Sequence, residues 1–449
     1  MANSSKHLNA QNLIAEVCKC FDDIPDHRSK QLANGIPFPN FAKSAFAMMH
    51  QKYSSLLDFD TDCADPVLCH NLTTLYHVKN GRVPCDTHMR EVLDPVDPKH
   101  FRKPFKKLFS LVQRSGSLKA FEFCCGDLKD HYLMPLDGTQ TFYSGKHGCP
   151  ACCVRNEGKP NESYSHSLTG GCIVHPDQKT VIPFAPEAIV RQDGSTKNDC
   201  EKNALKRYLA HVKREHPHIK LIILLDGLYA DNPTIELIKK YGWHYIIVAK
   251  DGNHESLIEA MNALGNQEQL QHHEVIDEAT GVKHLFRFSN GVKLNASKLS
   301  QTVNVLDYIE IDKEGHHHPW CWVTDIELTP ESVETVMRGG RCRWHIENQT
   351  FNTLKNQGYH LEHNYGHGKR HLATNLAFLT FLAFLVDQVQ EMASPEFKAA
   401  LKKRSRGVRT HLWKCITRIF LSWLIESWDE LFEALISGIK PSRVAIDTS

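Results

Sequence analysis

The alternation of apolar and polar positions changes period several times along the chain. Residues 1 to about 130 read as short helices. Asn12 to Phe21 and His100 to Val112 repeat apolar residues at helical spacing, and Pro84, Pro95 and Pro98 punctuate the connections. From about 131 the period becomes that of strands: Leu133 to Asp137, Ser165 to Val174 and Thr180 to Pro186, the last two separated by the turn-like His175-Pro176-Asp177-Gln178. Asp199 is placed to cap a helix running through Leu205 and Leu209 to about Glu215. Leu221 to Leu225 is a continuous apolar run, the mark of a strand buried on both faces. A helix from about Asn232 to Tyr241 and a strand Tyr245 to Val248 follow.

Three strands and then helix, strand, helix, strand is the order of a ribonuclease-H-like sheet, in which three antiparallel strands are followed by parallel crossovers. The fold class expected is α/β (α+β overall): a mixed sheet of that kind flanked by helices. His284 to Phe288, Thr302 to Ile311 and Trp320 to Asp325 read as further strands with polar turns, hence a β-rich insertion. Helical pattern resumes at about Pro330, and the tail is helical with apolar and aromatic residues from Leu412 to Ile436. The organisation expected is a helical N-terminal region (1–130), a first part of the core (131–270), the insertion (271–326), a second part of the core (327–392) and a helical C-terminal region (393–449).

Composition adds limits. The 449 residues are 41% hydrophobic, enough for a sizeable core, and the net charge of +1 does not by itself advertise a polyanionic partner. Charge is local: Lys103, Lys106 and Lys107; Lys369 and Arg370; and Lys402, Lys403, Arg404, Arg406 and Arg409 form basic clusters, each equally readable as a solvated face. The fifteen cysteines are odd in number and the opening residues Met1-Ala2-Asn3-Ser4-Ser5 carry no secretory pattern, so reduced thiols in a cytoplasm are expected. The apolar stretch Leu372 to Val389 contains Thr374, Asn375, Thr380 and Asp387; it reads as a buried core helix and not a membrane span.

Three acids stand out. Asp137 and Asp226 each end an apolar run and precede a glycine, and Glu347 lies in the helical segment Arg343-Trp344-His345-Ile346-Glu347. Taken singly, Asp-Gly is also a turn signal, and Glu347 can simply pair with Arg343 one helical turn earlier. Taken together on this strand order, two aspartates at adjacent strand ends and a glutamate from a helix can hold two divalent ions for phosphoryl transfer, the ions lying roughly 3.5–4 Å apart.

These residues resemble the DDE transposases of bacterial insertion sequences, close to the cut-and-paste group. Asp137 and Asp226 are 89 positions apart, Asp226 and Glu347 are 121 apart, and the long second gap fits a β-rich insertion before the glutamate. The run Arg341 to Phe351 resembles the family's glutamate helix, whose signature is Tyr, two residues, Arg, three residues, Glu, six residues, Lys. Arg343 and Glu347 match it; Gly340 stands at the Tyr position and Leu354 at the Lys position, with Lys355 one place later. The resemblance covers about residues 130 to 390. It implies a cytoplasmic bacterial enzyme that binds double-stranded DNA, both terminal repeats and target, with residues 1–130 as a DNA-binding region and no membrane partner, and with two Mg²⁺ ions on Asp137, Asp226 and Glu347 (Mn²⁺ substituting). It implies a homodimer pairing two ends, for which the apolar C-terminal helices are a plausible face. Arg343, Lys355, Lys369 and Arg370 are expected on DNA. Trp320 and Trp322 are placed either to hold a flipped base or to serve as core aromatics of the insertion. A nuclease that cuts without joining and a transposase-derived DNA-binding protein that no longer cuts are the rival readings.

His147, Cys149, Cys152, Cys153 and His166 fall within 20 positions just after the first aspartate. Cys149-Pro150-Ala151-Cys152 has zinc-knuckle spacing and His166 can complete a structural Zn²⁺ site. Four ligands suffice, so one of the five is surplus; the alternative is a set of reduced thiols. His316-His317-His318 reads as a chance loop run.

Overall fold

The computed structural model describes residues 5–29, 35–191, 197–249, 255–266, 270–295, 301–366 and 368–438. Its strands in chain order are β1 (Glu122–Cys125), β2 (Leu128–Ser144), β3 (Cys153–Arg155), β4 (Ser163–Ile173), β5 (Ile182–Pro183), β6 (Glu187–Ile189), β7 (Leu221–Leu225), β8 (His244–Val248), β9 (Gln271–Ile276), β10 (Lys283–Lys293), β11 (Thr302–Ile311) and β12 (His317–Thr324). They make one mixed sheet in the order β3-β4-β2-β7-β8-β12-β11-β10-β9, with β1 on β2 and both β5 and β6 on β4. β2, β7 and β8 are parallel, and β4 runs antiparallel to β2. This is the ribonuclease-H-like order expected from the sequence. All five residues of β7 are fully buried, as a strand covered on both faces requires.

Three local differences have physical causes. β2 does not stop at Asp137 but runs on to Ser144, because Gly138, Thr139 and Gln140 find ladder partners in Thr169, Leu168 and Ser167 of β4. Thr180 to Pro186 shrinks to the two-residue strand β5, and a separate short strand, β6, begins only after Pro186, since Pro183 and Pro186 have no N–H for a ladder. The helix that Asp199 was expected to cap is Lys197–Glu215, which places that residue inside it. The insertion strands do not stand apart either: β12 pairs antiparallel with β8 (Trp322 with Val248, Thr324 with Ile246), so the insertion extends the core sheet.

The helix Leu372–Ala393 is long and apolar enough to cross a membrane, yet it is almost wholly buried among the protein's own elements. Asp387 on it is 2% exposed and gathers Lys52 Nζ at 2.8 Å, the Tyr359 hydroxyl at 2.6 Å and His50 Nε2 at 3.2 Å. Burial alone would raise its pKa, but Lys52 and His50 outweigh that and hold the carboxyl below its usual range. Lys52 also lies 4.3 Å above the Trp413 ring. The C-terminal helices close on the N-terminal ones: Asn71 Nδ2 donates to the carbonyls of Phe420 (2.7 Å) and Trp423 (2.8 Å), and Trp428 packs edge-on against Tyr76. Leu412, Ile416, Phe420, Trp428 and Leu431 are thereby buried within the chain and are not a free face for a second copy.

Candidate active site

The β2–β7 ladder pairs Tyr132 with Leu221 and Pro135 with Leu224, an offset of 89 positions. Asp137 and Asp226 differ by the same 89, so the two aspartates come level on neighbouring parallel strands. Asp226 lies one residue beyond β7, where its Oδ1 accepts the Leu228 N–H at 3.0 Å and starts a helical turn. Asp137 accepts the N–H of Gly138 at 2.7 Å.

Glu347 comes from a helical turn packed on β2 and β4. After the helix Val333–Arg341 the chain widens into a π-helical turn, Ile346–Phe351, in which the Asn352 N–H bonds back to the Glu347 carbonyl. Such wide turns are frequent at functional sites. Gly170 of β4 is the register partner of Asp137, and a Cβ there would stand 2.8 Å from the Phe351 ring. The missing side chain lets the glutamate turn seat on the sheet beside Asp137.

Arg343 is 8% exposed and joins the acids: its Nη1 is 2.8 Å from Glu347 Oε1 and 3.6 Å from Asp137 Oδ2. Burial pushes the Asp137 carboxyl up to about 6; the Gly138 N–H and Arg343 oppose this, while Asp226 and Glu347 add to it. Asp137 and Glu347 share the Arg343 guanidinium, and Asp226 is near enough to add to the rise at Asp137, so the three acids face one region. An all-oxygen donor set suits a hard ion such as Mg²⁺ or Mn²⁺.

Asp226 and Arg343 line a cleft of about 560 Å³ whose other wall carries Trp320, Trp344, Arg287 and Met261. Trp344 is 49% exposed with Arg343 4.9 Å from its ring centre; nothing in the local pattern of Arg343-Trp344-His345 distinguishes an exposed indole from a buried one. Trp320 is partly exposed, stacked on Tyr308 and capped by Arg341 at 4.9 Å. Trp322 must be corrected: it is 1% exposed and packed so that a Cβ on Gly340 would lie 2.7 Å from its indole. It is a core aromatic, and it explains why glycine replaces the aromatic residue of the signature at 340.

Two further groups reach the site without a sequence signal. Glu201 of the helix Lys197–Glu215 stands over Gly138, with Oε1 3.4 Å from where a Cβ would be. The buried Tyr229 hydroxyl has its pKa raised by burial and then by Glu201, Asp137 and Asp226, which places it among the acids.

The outer basic residues divide. Lys355 Nζ is 2.8 Å from Glu362, while Leu354 at the signature position is fully buried. Lys369 and Arg370 line a groove of about 580 Å³ with Lys99, Arg102 and Arg207, while their main-chain N–H groups are held by Asp94. Lys103 and Lys107 pair with Asp23 and Glu16, and Arg409 with Glu391.

Of the cysteine and histidine set, Cys149, Cys152 and His166 converge: the sulfurs are 3.6 Å apart and each lies 3.4 Å from His166 Nε2. Cys153 turns away, its thiol donating to the Ile189 carbonyl at 3.5 Å, because it begins β3 and its side chain faces the other way. His147 is exposed. His316 and His318 both pair with Asp312 on the surface.

A search of curated proteins finds no match to the chain. The family described as Transposase DDE domain matches residues 140–385, more than half of the chain, spanning Asp226 and Glu347 and beginning three residues after Asp137; the chain belongs to the DDE transposases.

Proposed function

We propose that this transposase cuts DNA at the ends of a mobile element and joins the freed 3′ hydroxyl to target DNA, with Asp137, Asp226 and Glu347 holding two Mg²⁺ ions. The observation that carries this is the shared register offset that brings Asp137 of β2 level with Asp226 just beyond β7, with Glu347 linked to Asp137 through Arg343. When bound, the ions would supply activation of the attacking oxygen and neutralisation of the leaving one. The chain's own residues do the rest. The three carboxylates, fixed by sheet register and a packed turn, set the in-line geometry. Arg343 offers a forked donor to a phosphate in the cleft. Trp344, half-exposed, offers a surface on which an unpaired base can stack, offsetting the cost of unpairing, while Trp320, held between Tyr308 and Arg341, lines the cleft beside it. The groove of Lys369, Arg370 and Arg207 extends the path for the DNA backbone. A second copy would hold the second end; its contact surface is not the buried C-terminal face.

Asp137→Asn and Glu347→Gln, assayed with Mg²⁺ and oligonucleotide ends, should bind DNA as before while cleavage and joining are lost. Cleavage persisting in either variant would remove the acids from the site. Cleavage of wild-type ends without a joined product, target DNA being present, would favour the nuclease reading instead.

A further inference from the structure

We infer that Cys149, Cys152 and His166 form a structural zinc site that fixes the hairpin between β2 and β4, separate from the carboxylate site. Zn–S and Zn–N bonds of about 2.3 and 2.0–2.1 Å meeting tetrahedrally demand S···S near 3.8 Å and S···N near 3.5 Å. The three atoms stand at 3.6, 3.4 and 3.4 Å. A thiol pair poised for a disulfide needs no imidazole equidistant from both sulfurs. Here His166 projects from β4 beside Ser165, whose register partners are Tyr143 and Cys153, so the ring reaches the turn from a fixed strand. The Cys149 N–H points at Cys152 Sγ (3.4 Å), the backbone-to-sulfur contact that steadies a metal-bound thiolate. Cys153 is left out, so the fourth ligand would be a water molecule on the side where Cys149 is partly exposed.

The site has a consequence for the neighbouring groove. Pro150 and Ala151, the two residues between the cysteines, line it opposite Lys99, Arg207, Lys369 and Arg370. The metal would therefore hold one wall of the basic groove in place.

The test uses the full chain purified without added metal or chelator. Elemental analysis should find about one zinc per chain. Exchange for Co²⁺ should give thiolate-to-cobalt charge-transfer absorption. The double variant C149S/C152S and H166A should each lose both signals, and C153S should keep them. Circular dichroism identifies any variant that has failed to fold. For such a variant, chelation of the wild type takes its place: it should speed proteolytic nicking within residues 145–162, and Zn²⁺ should reverse this. Zinc absent from the folded wild type, a Cys149–Cys152 disulfide in its place, or full retention of the cobalt signal in H166A would overturn the assignment. Because metal content and absorption are read without DNA, failure here is distinguishable from failure of the carboxylate chemistry.

Discussion

Gly170 and Phe351 touch where any larger residue would collide: a Cβ on the glycine would stand 2.8 Å from the Phe351 ring. Phe351 ends the π-helical turn that begins one residue before Glu347, so the closeness of this contact sets how near the glutamate comes to Asp137. Gly170→Ala should force the ring aside. Overpacking of this kind costs about 1–3 kcal/mol, read as a lower denaturation midpoint, and DNA cleavage should fall further than the stability loss explains. Unchanged stability and unchanged cleavage would mean that the turn is not seated by this contact.

The two tryptophan environments predict opposite outcomes. Trp322→Ala empties a buried site under Gly340 and should cost about 3–5 kcal/mol of stability. Trp344→Ala removes a half-exposed ring and should leave stability within about 0.5 kcal/mol, while weakening binding of DNA with an unpaired end base by about 1–3 kcal/mol, roughly 5- to 150-fold. Thermal melts and titrations with paired and unpaired ends check both. A Trp344→Ala protein with wild-type affinity for unpaired ends would exclude stacking there.

His216 supplies a pH dependence. Its ring lies 4.5 Å from that of Phe109 and 5.0 Å from that of Phe184, and burial pushes its pKa down to about 4, with Lys106 and Arg102 acting the same way. The unfolded chain takes up this proton near pH 6.5 and the folded one does not, so the contribution is neutral above pH 6.5. Stability is lost as pH falls from 6.5 towards 4, by about 2–3 kcal/mol for this group. His216→Gln should flatten the slope of unfolding free energy over that window; an unaltered slope would place its origin elsewhere.

The sequence disclosed what repetition and chemistry write locally. Leu221 to Leu225 announced a doubly covered strand, and the order of elements announced the sheet. Side-chain neighbours across the chain were another matter. Asp137 looked like a strand end because Asp-Gly usually turns, and only Thr169 in β4 shows why this one does not. Trp320 and Trp322 are two apart and share a face, so periodicity could not separate them; Gly340, 18 positions beyond Trp322, decides which is buried. Glu201 and Tyr229 approach the acids from elements whose local pattern says nothing about them. Cys152 and Cys153 differ only in which way the backbone turns them at the start of β3.

The shared offset of 89 between the β2–β7 pairing and the two aspartates also says what may vary. The carboxylates are aligned by a ladder and not by a length of chain, so residues can be added to or taken from the hairpin tip, the β5–β6 region or the helix before β7 without moving them relative to each other. Numbering would drift while chemistry stayed put. What cannot be tolerated is a slip of one rung, because side chains alternate across a strand: Asp137 would be carried to the opposite face, and a chain with every active-site residue intact would have no active site.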